Sequence, residues 1–207
     1  MKNATKHADV LRSVCKRLIR EYKPEPKQPR EPLPALVRAA MSYDVPDAKA
    51  EIAMQAIEKE FVDLNEFRVA TELEVQELLG QRYPEIETRV NMITTALNNI
   101  FEREHTMNLE RLKTISKRDA RQFLRELPDI HPFVEASVML FAFDAPAFPI
   151  DDQILAYLVE EDAVEEGTSL TDAQKFVEHQ LKGEELYELF AALRVACFED
   201  TKRKRRK

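Results

Sequence analysis

The chain has 207 residues, of which 44% are apolar and 33% are charged, and its net charge is −7 at pH 7. These values are typical of an ordinary soluble protein, and the length allows a proper hydrophobic core in one or two domains. Three glycines are too few for a hairpin-rich β architecture. The longest hydrophobic stretch, 133–150, contains two acids and two prolines, so we expect no membrane span, and we expect no signal peptide.

The two cysteines, Cys15 and Cys197, have no CxxC spacing and no histidine at metal-ligand spacing, so no metal site is predicted. A disulfide between them is one alternative. Two buried thiols in a reducing cytosol fit this pattern better.

The charge is distributed unevenly along the chain. Residues 1–30 carry a net +6, and the last seven residues, 201–207 (TKRKRRK), carry another +6. The body between them, 31–200, therefore carries −19. Basic arms of this kind bind phosphate through counterion release, without sequence preference. A solvated tail that keeps the protein soluble is the equal alternative.

Apolar residues recur at helical spacing along most of the chain, and neither a period-2 strand nor an internal repeat is evident. The predicted helices are, in chain order, 8–22, 34–43, one that Asp44 caps, 64–69, 71–79, 84–104, 116–126, 133–143, one that follows Asp151, 172–182 and 184–199. Capping boxes at 116–119 and 171–174 mark two of the helix starts. Five prolines make 21–34 an extended connector. The fold class is therefore all-α, with about ten helices in two lobes.

The predicted organisation has four parts. A basic N-terminal helix with its proline-rich connector, 1–34, packs with the C-terminal lobe. A helical lobe over 35–152 contains a tight hairpin, and the C-terminal lobe spans 153–200. The basic tail is 201–207.

The region around the hairpin carries a family resemblance. Leu-Pro at 127–128 opens a short turn, Ile130 follows, and an apolar helix over 138–143 leads to Ile-Asp at 150–151. This order resembles the helix-hairpin-helix DNA glycosylase superfamily, in particular its endonuclease III branch. That family reads Leu-Pro-Gly-Val-Gly-x-Lys-Thr-Ala, then an apolar helix, then a hydrophobic residue and an aspartate. The resemblance covers about 35–200 and implies an endonuclease III-like fold.

The resemblance implies that Asp151 is the catalytic carboxylate. It follows Phe133, which stands at the place of the family's hairpin lysine, by the family's spacing of eighteen residues. Release of a base from a flipped nucleotide passes through a sugar cation, which a nearby carboxylate can stabilise. An aspartate ahead of an apolar run is also an ordinary helix N-cap, and the two roles can coexist.

The hairpin departs from the family at its glycines. Asp129 and His131 occupy the two glycine places, and Pro132 has no N–H group. Because the family's hairpin binds phosphate through backbone N–H groups, this site is impaired, and a plain interhelical turn is an alternative. Ile130 and His131 are the hairpin residues that we expect to contact DNA, and a protonated His131 would partly offset Asp129.

Two further DNA contacts are predicted outside the hairpin. Lys117, Arg121 and Arg125 share one helix face and form the best local basic patch on the acidic body, although a salt-bridged face is the competing explanation. Met41 stands near the family's polar residue that fills the gap left by a flipped base. It could insert as a wedge or belong to the core.

The resemblance also implies what the chain lacks. The family's bifunctional members use the hairpin lysine as a Schiff-base nucleophile, and Phe133 cannot form an imine, so no lyase activity is expected. The cluster-bearing members end in a four-cysteine loop, whereas Cys197 alone falls in that region. We expect no iron–sulfur cluster and no other cofactor.

The function that the resemblance implies is base-excision DNA repair by a DNA glycosylase that is monofunctional or catalytically weakened. Its partner would be damaged or mismatched duplex DNA, and we expect a cytoplasmic, nucleoid-associated monomer. One alternative is a non-catalytic relative that binds DNA or another acidic partner through its arm and tail. Another is an interaction scaffold unconnected with nucleic acid, since the body is strongly acidic.

Overall fold

The structure is a computed structural model that describes the backbone of residues 4–80 and 82–204 and the side chains of 4–80 and 82–199. These residues form eleven α-helices and one short 3-10 helix, and no strand occurs among them. The all-α prediction with about ten helices is confirmed. The side chains of the predicted basic tail, 201–207, lie outside the described residues.

The chain folds as two compact units, which we call the central unit (Pro29–Ala145) and the terminal unit (Met1–Gln28 with Pro146–Lys207). The sequence places these divisions at 34/35 and 152/153 instead. The segment that follows Ala145 packs within the terminal unit, since the Phe148 N–H donates to the Glu178 carboxylate at 3.0 Å and the Phe148 ring contacts Phe190 edge-on. These contacts explain why the division comes before this segment rather than after it.

The central unit contains seven α-helices and the 3-10 helix within its described residues. They are α2 (Pro32–Ser42), α3 (Asp47–Glu60), α4 (Leu64–Arg68), α5 (Glu72–Leu79), α6 (Ile86–Glu104), the 3-10 helix Glu110–Thr114, α7 (Lys117–Arg125) and α8 (Pro132–Phe141). Helix α8 is buried at every position from Phe133 to Phe141, and it packs mainly on α2. A helix that is apolar on nearly all sides lies at the centre of a core, as its sequence predicts.

The terminal unit contains four α-helices within its described residues. They are α1 (Ala4–Tyr22), α9 (Asp152–Glu160), α10 (Leu170–Gln180) and α11 (Glu184–Lys204). Leu11, Val14, Cys15 and Leu18 form a stripe at helical spacing along α1, and this stripe is buried where α1 packs on α11. The opposite face of α1 keeps its polar residues exposed.

The N-cap residues of three helices can be compared with those that the sequence predicts. Ser116 accepts a hydrogen bond from the Asp119 N–H at 3.1 Å, as the capping pattern predicts. The box at 171–174 is wrong, because Ser169 caps α10 by accepting from the Asp172 N–H at 3.1 Å, two residues earlier. Asp44 is not the cap of α3 either. It adopts a left-handed conformation with φ +52° in the turn before Pro46, and Pro46 is the N-cap residue of α3.

The sequence also predicts two buried free thiols and no membrane-spanning helix. Cys15 and Cys197 are both buried free thiols, and burial raises the pKa of Cys15 to about 11. None of the helices, over the part of the chain that is described, has the length and apolarity needed to cross a bilayer.

Candidate functional site

The turn between α7 and α8 is tight and uses a left-handed residue. Asp129 has φ +54°, a conformation that favours glycine but that aspartate tolerates better than most side chains. The Ile130 N–H donates to the Leu127 carbonyl at 3.4 Å and closes the turn. The turn therefore closes with an aspartate, rather than a glycine, in the left-handed conformation.

The N-terminus of α8 is capped by the side chain of the residue that precedes it. His131 Nδ1 accepts the hydrogen bond of the Phe133 N–H at 3.1 Å, and Pro132 has no N–H to offer. The His131 ring also stacks on Tyr43, with centroids 4.5 Å apart and planes 3° from parallel. Because these donors are absent or occupied, the helix end cannot bind phosphate in the way that open N–H groups do. The DNA contacts predicted for His131 and for the half-buried Ile130 stay predictions.

The predicted basic patch is largely paired within the central unit. Arg121 Nε lies 2.6 Å from one oxygen of Glu135, and Arg125 Nε lies 3.3 Å from the other. Burial raises the pKa of Glu135, and the charges of the two arginines oppose that rise. Lys117 donates to the Asp144 carbonyl. The arrangement is the salt-bridged helix face that the sequence left open, so these three cations are a weaker phosphate site than their sequence pattern indicates.

Two residues of the predicted DNA surface lie in the core of the central unit. Met41 is fully buried in α2, and its carbonyl accepts the Tyr83 hydroxyl at 2.6 Å. A wedge between bases requires an exposed side chain, so the prediction that Met41 inserts into DNA is corrected to a core position. Phe133, at the family's lysine place, is only 1% exposed and packs near Tyr43.

The buried Arg89 side chain binds the C-terminal end of α2. Its guanidinium donates to the carbonyls of Ala40 at 2.7 Å and Tyr43 at 2.9 Å, and it lies 3.7 Å from the centre of the Tyr43 ring. Because the last carbonyls of a helix have no partner within it, a buried helix end needs donors of this kind. The same Tyr43 ring supports His131, so Arg89 also contributes indirectly to the hairpin.

In the terminal unit, Asp151 is the N-cap of α9. Its Oδ1 atom accepts the Ile154 N–H at 2.9 Å, and its Oδ2 atom accepts from the Arg194 guanidinium at 2.9 Å. Both side chains are almost completely inaccessible, with 0% of the Asp151 side chain and 2% of the Arg194 side chain exposed. Each carboxylate oxygen therefore has a protein partner, and neither is presented to solvent.

Arg194 is the residue that the sequence reasoning missed. It lies in the apolar run LFAALRVACF of the last helix, where burial of an arginine is costly unless acceptor oxygens compensate its charge. That run is the available signal, because a lone cation in a core helix predicts a buried partner, either an acid or backbone carbonyls. Its partner lies 43 residues away in sequence, so local pattern alone could not identify it.

The donors in the chain do not fit an iron–sulfur cluster. The four-cysteine cluster that the sequence resemblance brings into question needs four thiolates, whereas the chain contains two cysteines. Cys197 is buried on α11, with its sulfur 3.6 Å from the Gln153 carbonyl. Over the described residues, no group of three or more His, Cys, Asp or Glu side chains could hold a metal ion.

Comparison with known proteins gives matches in structure only. No family model matches the sequence, and no curated protein sequence does. A Clostridium acetobutylicum 8-oxoguanine glycosylase/lyase in complex with double-stranded DNA superposes with a TM-score of 0.72 at 16% identity, covering 96% of this chain and 71% of that one. A trapped endonuclease III–DNA covalent intermediate gives a TM-score of 0.71 at 13% identity, covering 93% and 85%.

A third solved structure matches over almost its whole length. The Helicobacter pylori 3-methyladenine DNA glycosylase bound to 1,N6-ethenoadenine superposes with a TM-score of 0.67 at 14% identity, covering 95% of this chain and 98% of that chain. Identities this low establish the fold and nothing finer. The superpositions agree with the resemblance found at the hairpin, and the chain has the all-α, endonuclease III-like fold that these solved structures share.

Proposed function

We propose that the protein is a DNA-binding repair protein of the endonuclease III fold in which base excision is weakened and strand cleavage is lost. The fold supports this role, since solved structures that share it are glycosylases bound to DNA or trapped on it. The same proposal makes the protein a cytoplasmic, nucleoid-associated monomer that needs no cofactor.

The observation that carries the proposal is the pairing of Asp151 with Arg194. A carboxylate assists base release by facing the sugar, where it stabilises the developing cation or activates water. The charge of Asp151 is already matched by a guanidinium 2.9 Å away, and its second oxygen caps a helix. A sugar cation would have to compete with Arg194 for that charge, so transition-state stabilisation by Asp151 is reduced.

The loss of strand cleavage follows from Phe133. A lyase step needs an amine that attacks the sugar C1′ and forms an imine, and a phenyl ring offers no such group. Phe133 is also buried within the central unit. No lysine stands on either side of it, so no neighbouring amine replaces the missing one at this place.

The basic tail is proposed as a further DNA contact. Residues 201–207 carry six cations, and cations that neutralise phosphates make binding steeply dependent on salt. Deleting 201–207 should flatten the plot of log affinity against log salt concentration, measured with a labelled duplex. An unchanged slope would remove the tail from the interface.

Single-turnover assays test the enzymatic part of the proposal. Duplexes that each carry one damaged base are incubated with excess protein, and base release and borohydride-trapped complex are measured beside an active endonuclease III. We expect no trapped complex and base release about 10²- to 10⁴-fold slower than the active enzyme, the contribution usually made by one acid–base group.

A matched pair of variants identifies the part that Asp151 plays. Asp151→Asn removes the paired carboxylate, and Asp152→Asn makes the same chemical change at the exposed neighbouring residue. We expect the two variants to release bases at the wild-type rate as long as circular dichroism shows that they are folded. A fast wild-type rate that only Asp151→Asn abolishes would contradict the proposal.

A further inference from the structure

Helix α1 presents a basic face on the exposed side of the terminal unit. Ser13, Lys16, Arg17 and Arg20, with Glu21, line a shallow cavity of about 420 Å³ along this face. A neighbouring cavity of about 380 Å³ continues the groove past Ser13 and Arg17. The cations Lys16, Arg17 and Arg20 lie in the first cavity, whereas the second adds the acids Asp9 and Glu161.

The cations of this face differ in what already binds them. Arg17 donates to Glu161 at 2.7 Å, so its charge is largely neutralised, and the hydrogen bond to Glu161 raises the pKa of Arg17. Lys16 and Arg20 are exposed and make no hydrogen bond or ion pair with any described residue. Of the acids in the two cavities, Asp9 pairs with Arg12 and Glu161 pairs with Arg17, so Lys16 and Arg20 share the first cavity with the carboxylate of Glu21.

The basic face of α7 provides the contrast. Arg121 and Arg125 are held by the buried Glu135, and Lys117 donates to a backbone carbonyl. A phosphate that approached these groups would have to displace a partner from each of them. At Lys16 and Arg20 a phosphate displaces only water and counterions, which is the favourable exchange that drives binding to DNA.

We propose that Lys16 and Arg20 form a backbone-binding site for duplex DNA on α1, an inference that rests on the DNA-binding role proposed above. The two residues are one helical turn apart, about 6 Å along the axis. Phosphates on one strand rise by about 3.4 Å per step, so two phosphates that are two steps apart are separated by about 7 Å along the duplex axis. Lys16 contributes a point charge and Arg20 a planar fork of donors, and the Ser13 hydroxyl can donate to the same phosphate. Contacts of this kind position the duplex without reading its sequence.

Salt-dependent binding of an undamaged labelled duplex to the full chain tests this site. The variant Lys16→Ala/Arg20→Ala removes two phosphate contacts, so the slope of log affinity against log salt should become shallower by about 1.8. The same change corresponds to binding about 60-fold weaker at 0.1 M salt, with the difference vanishing toward 1 M. Alanine is the best helix former, so α1 should be retained, which circular dichroism checks.

A matched control removes the same net charge elsewhere. Lys59 on α3 and Lys175 on α10 are exposed helical lysines without a hydrogen bond or ion pair to any described residue. Lys59→Ala/Lys175→Ala should keep the wild-type slope. Equal slopes for the wild type and for Lys16→Ala/Arg20→Ala would overturn the α1 site and leave the proposed function standing, and so would an equal loss in the control. A wild-type chain that does not bind duplex DNA would overturn both.

Discussion

Helices α8 and α9 lie in different units, and each begins at a side chain that caps it. At α8 the cap is the half-exposed His131, and the buried carboxylate of the first turn belongs to another residue, Glu135. At α9 one residue, Asp151, is both the cap and the buried carboxylate. The buried carboxylate pairs with Arg121 at the start of α8 and with Arg194 at the start of α9.

The difference lies in how many roles depend on one side chain. At α8 the helix end, the turn and the ion pairs are held by separate residues, and Arg125 remains 47% exposed at the edge of the unit. At α9 the helix start and the charge of Arg194 both depend on a carboxylate that is 0% exposed. We therefore expect α9 to be sensitive to substitution of a single residue and α8 to be more tolerant.

The largest effect is expected for Asp151→Ala. The substitution removes the cap of α9 and leaves the Arg194 guanidinium buried without its acid, which costs about 3–5 kcal/mol of unfolding free energy. Denaturation by urea, followed by circular dichroism, measures this loss. Asp152→Ala, at the exposed neighbouring residue, should change stability by no more than about 0.5 kcal/mol. Equal effects of the two substitutions would show that Asp151 has no special role.

A smaller effect is expected for His131→Ala at the start of α8. The variant loses a helix cap and the ring that stacks on Tyr43, together about 1–2 kcal/mol. His131→Asn keeps a capping oxygen and loses the stacked ring, so it should recover part of this loss. If His131→Asn is as unstable as His131→Ala in urea, the capping bond contributes nothing.

The pH dependence of stability gives a third and smaller effect, at Glu135. Burial raises the pKa of Glu135 in the folded chain, so the folded state keeps this proton to a higher pH than the unfolded state does. The resulting stability is fully present below the unfolded pKa of about 4.3 and is lost as the pH rises through the folded pKa. The variant Glu135→Gln has no ionisable side chain at this position, so its stability lacks this dependence on pH.

Urea midpoints for the wild type and for Glu135→Gln across this pH window measure that effect. The stability of the wild type relative to the variant should fall as the pH rises. A relative stability that rises with pH would mean that Arg121 and Arg125 outweigh burial and lower the pKa of Glu135 instead.

Much of the fold could be predicted from local sequence. The apolar period gives nine of the eleven described α-helices to within about five residues, because burial of one helix face follows directly from that period. Helices α3 and α9 were predicted by their starts alone. The apolar residues on nearly all sides of α8 predict its central position. The 3-10 helix Glu110–Thr114 was missed, since a single turn carries too few residues to show a period.

The candidate site could be predicted only in part. The sequence predicts Asp151 as a possible helix cap and Arg121 with Arg125 as a possible salt-bridged face, because both patterns are local. The pairing of Asp151 with Arg194 and the stacking of Tyr43 on His131 join residues far apart in the chain. Contacts of that kind depend on how helices pack, which periodicity does not specify.

A double-mutant cycle on Asp151 and Arg194 tests the central claim most directly, namely that the Asp151 carboxylate, which the sequence resemblance predicts to be catalytic, is bound by this arginine. Unfolding free energies are measured for the wild type, Asp151→Asn, Arg194→Met and the double variant. The ion pair predicts a coupling energy of about 2–3 kcal/mol, with the double variant more stable than the sum of the single losses implies. Additive losses, within about 0.5 kcal/mol, would contradict it and leave Asp151 available for catalysis.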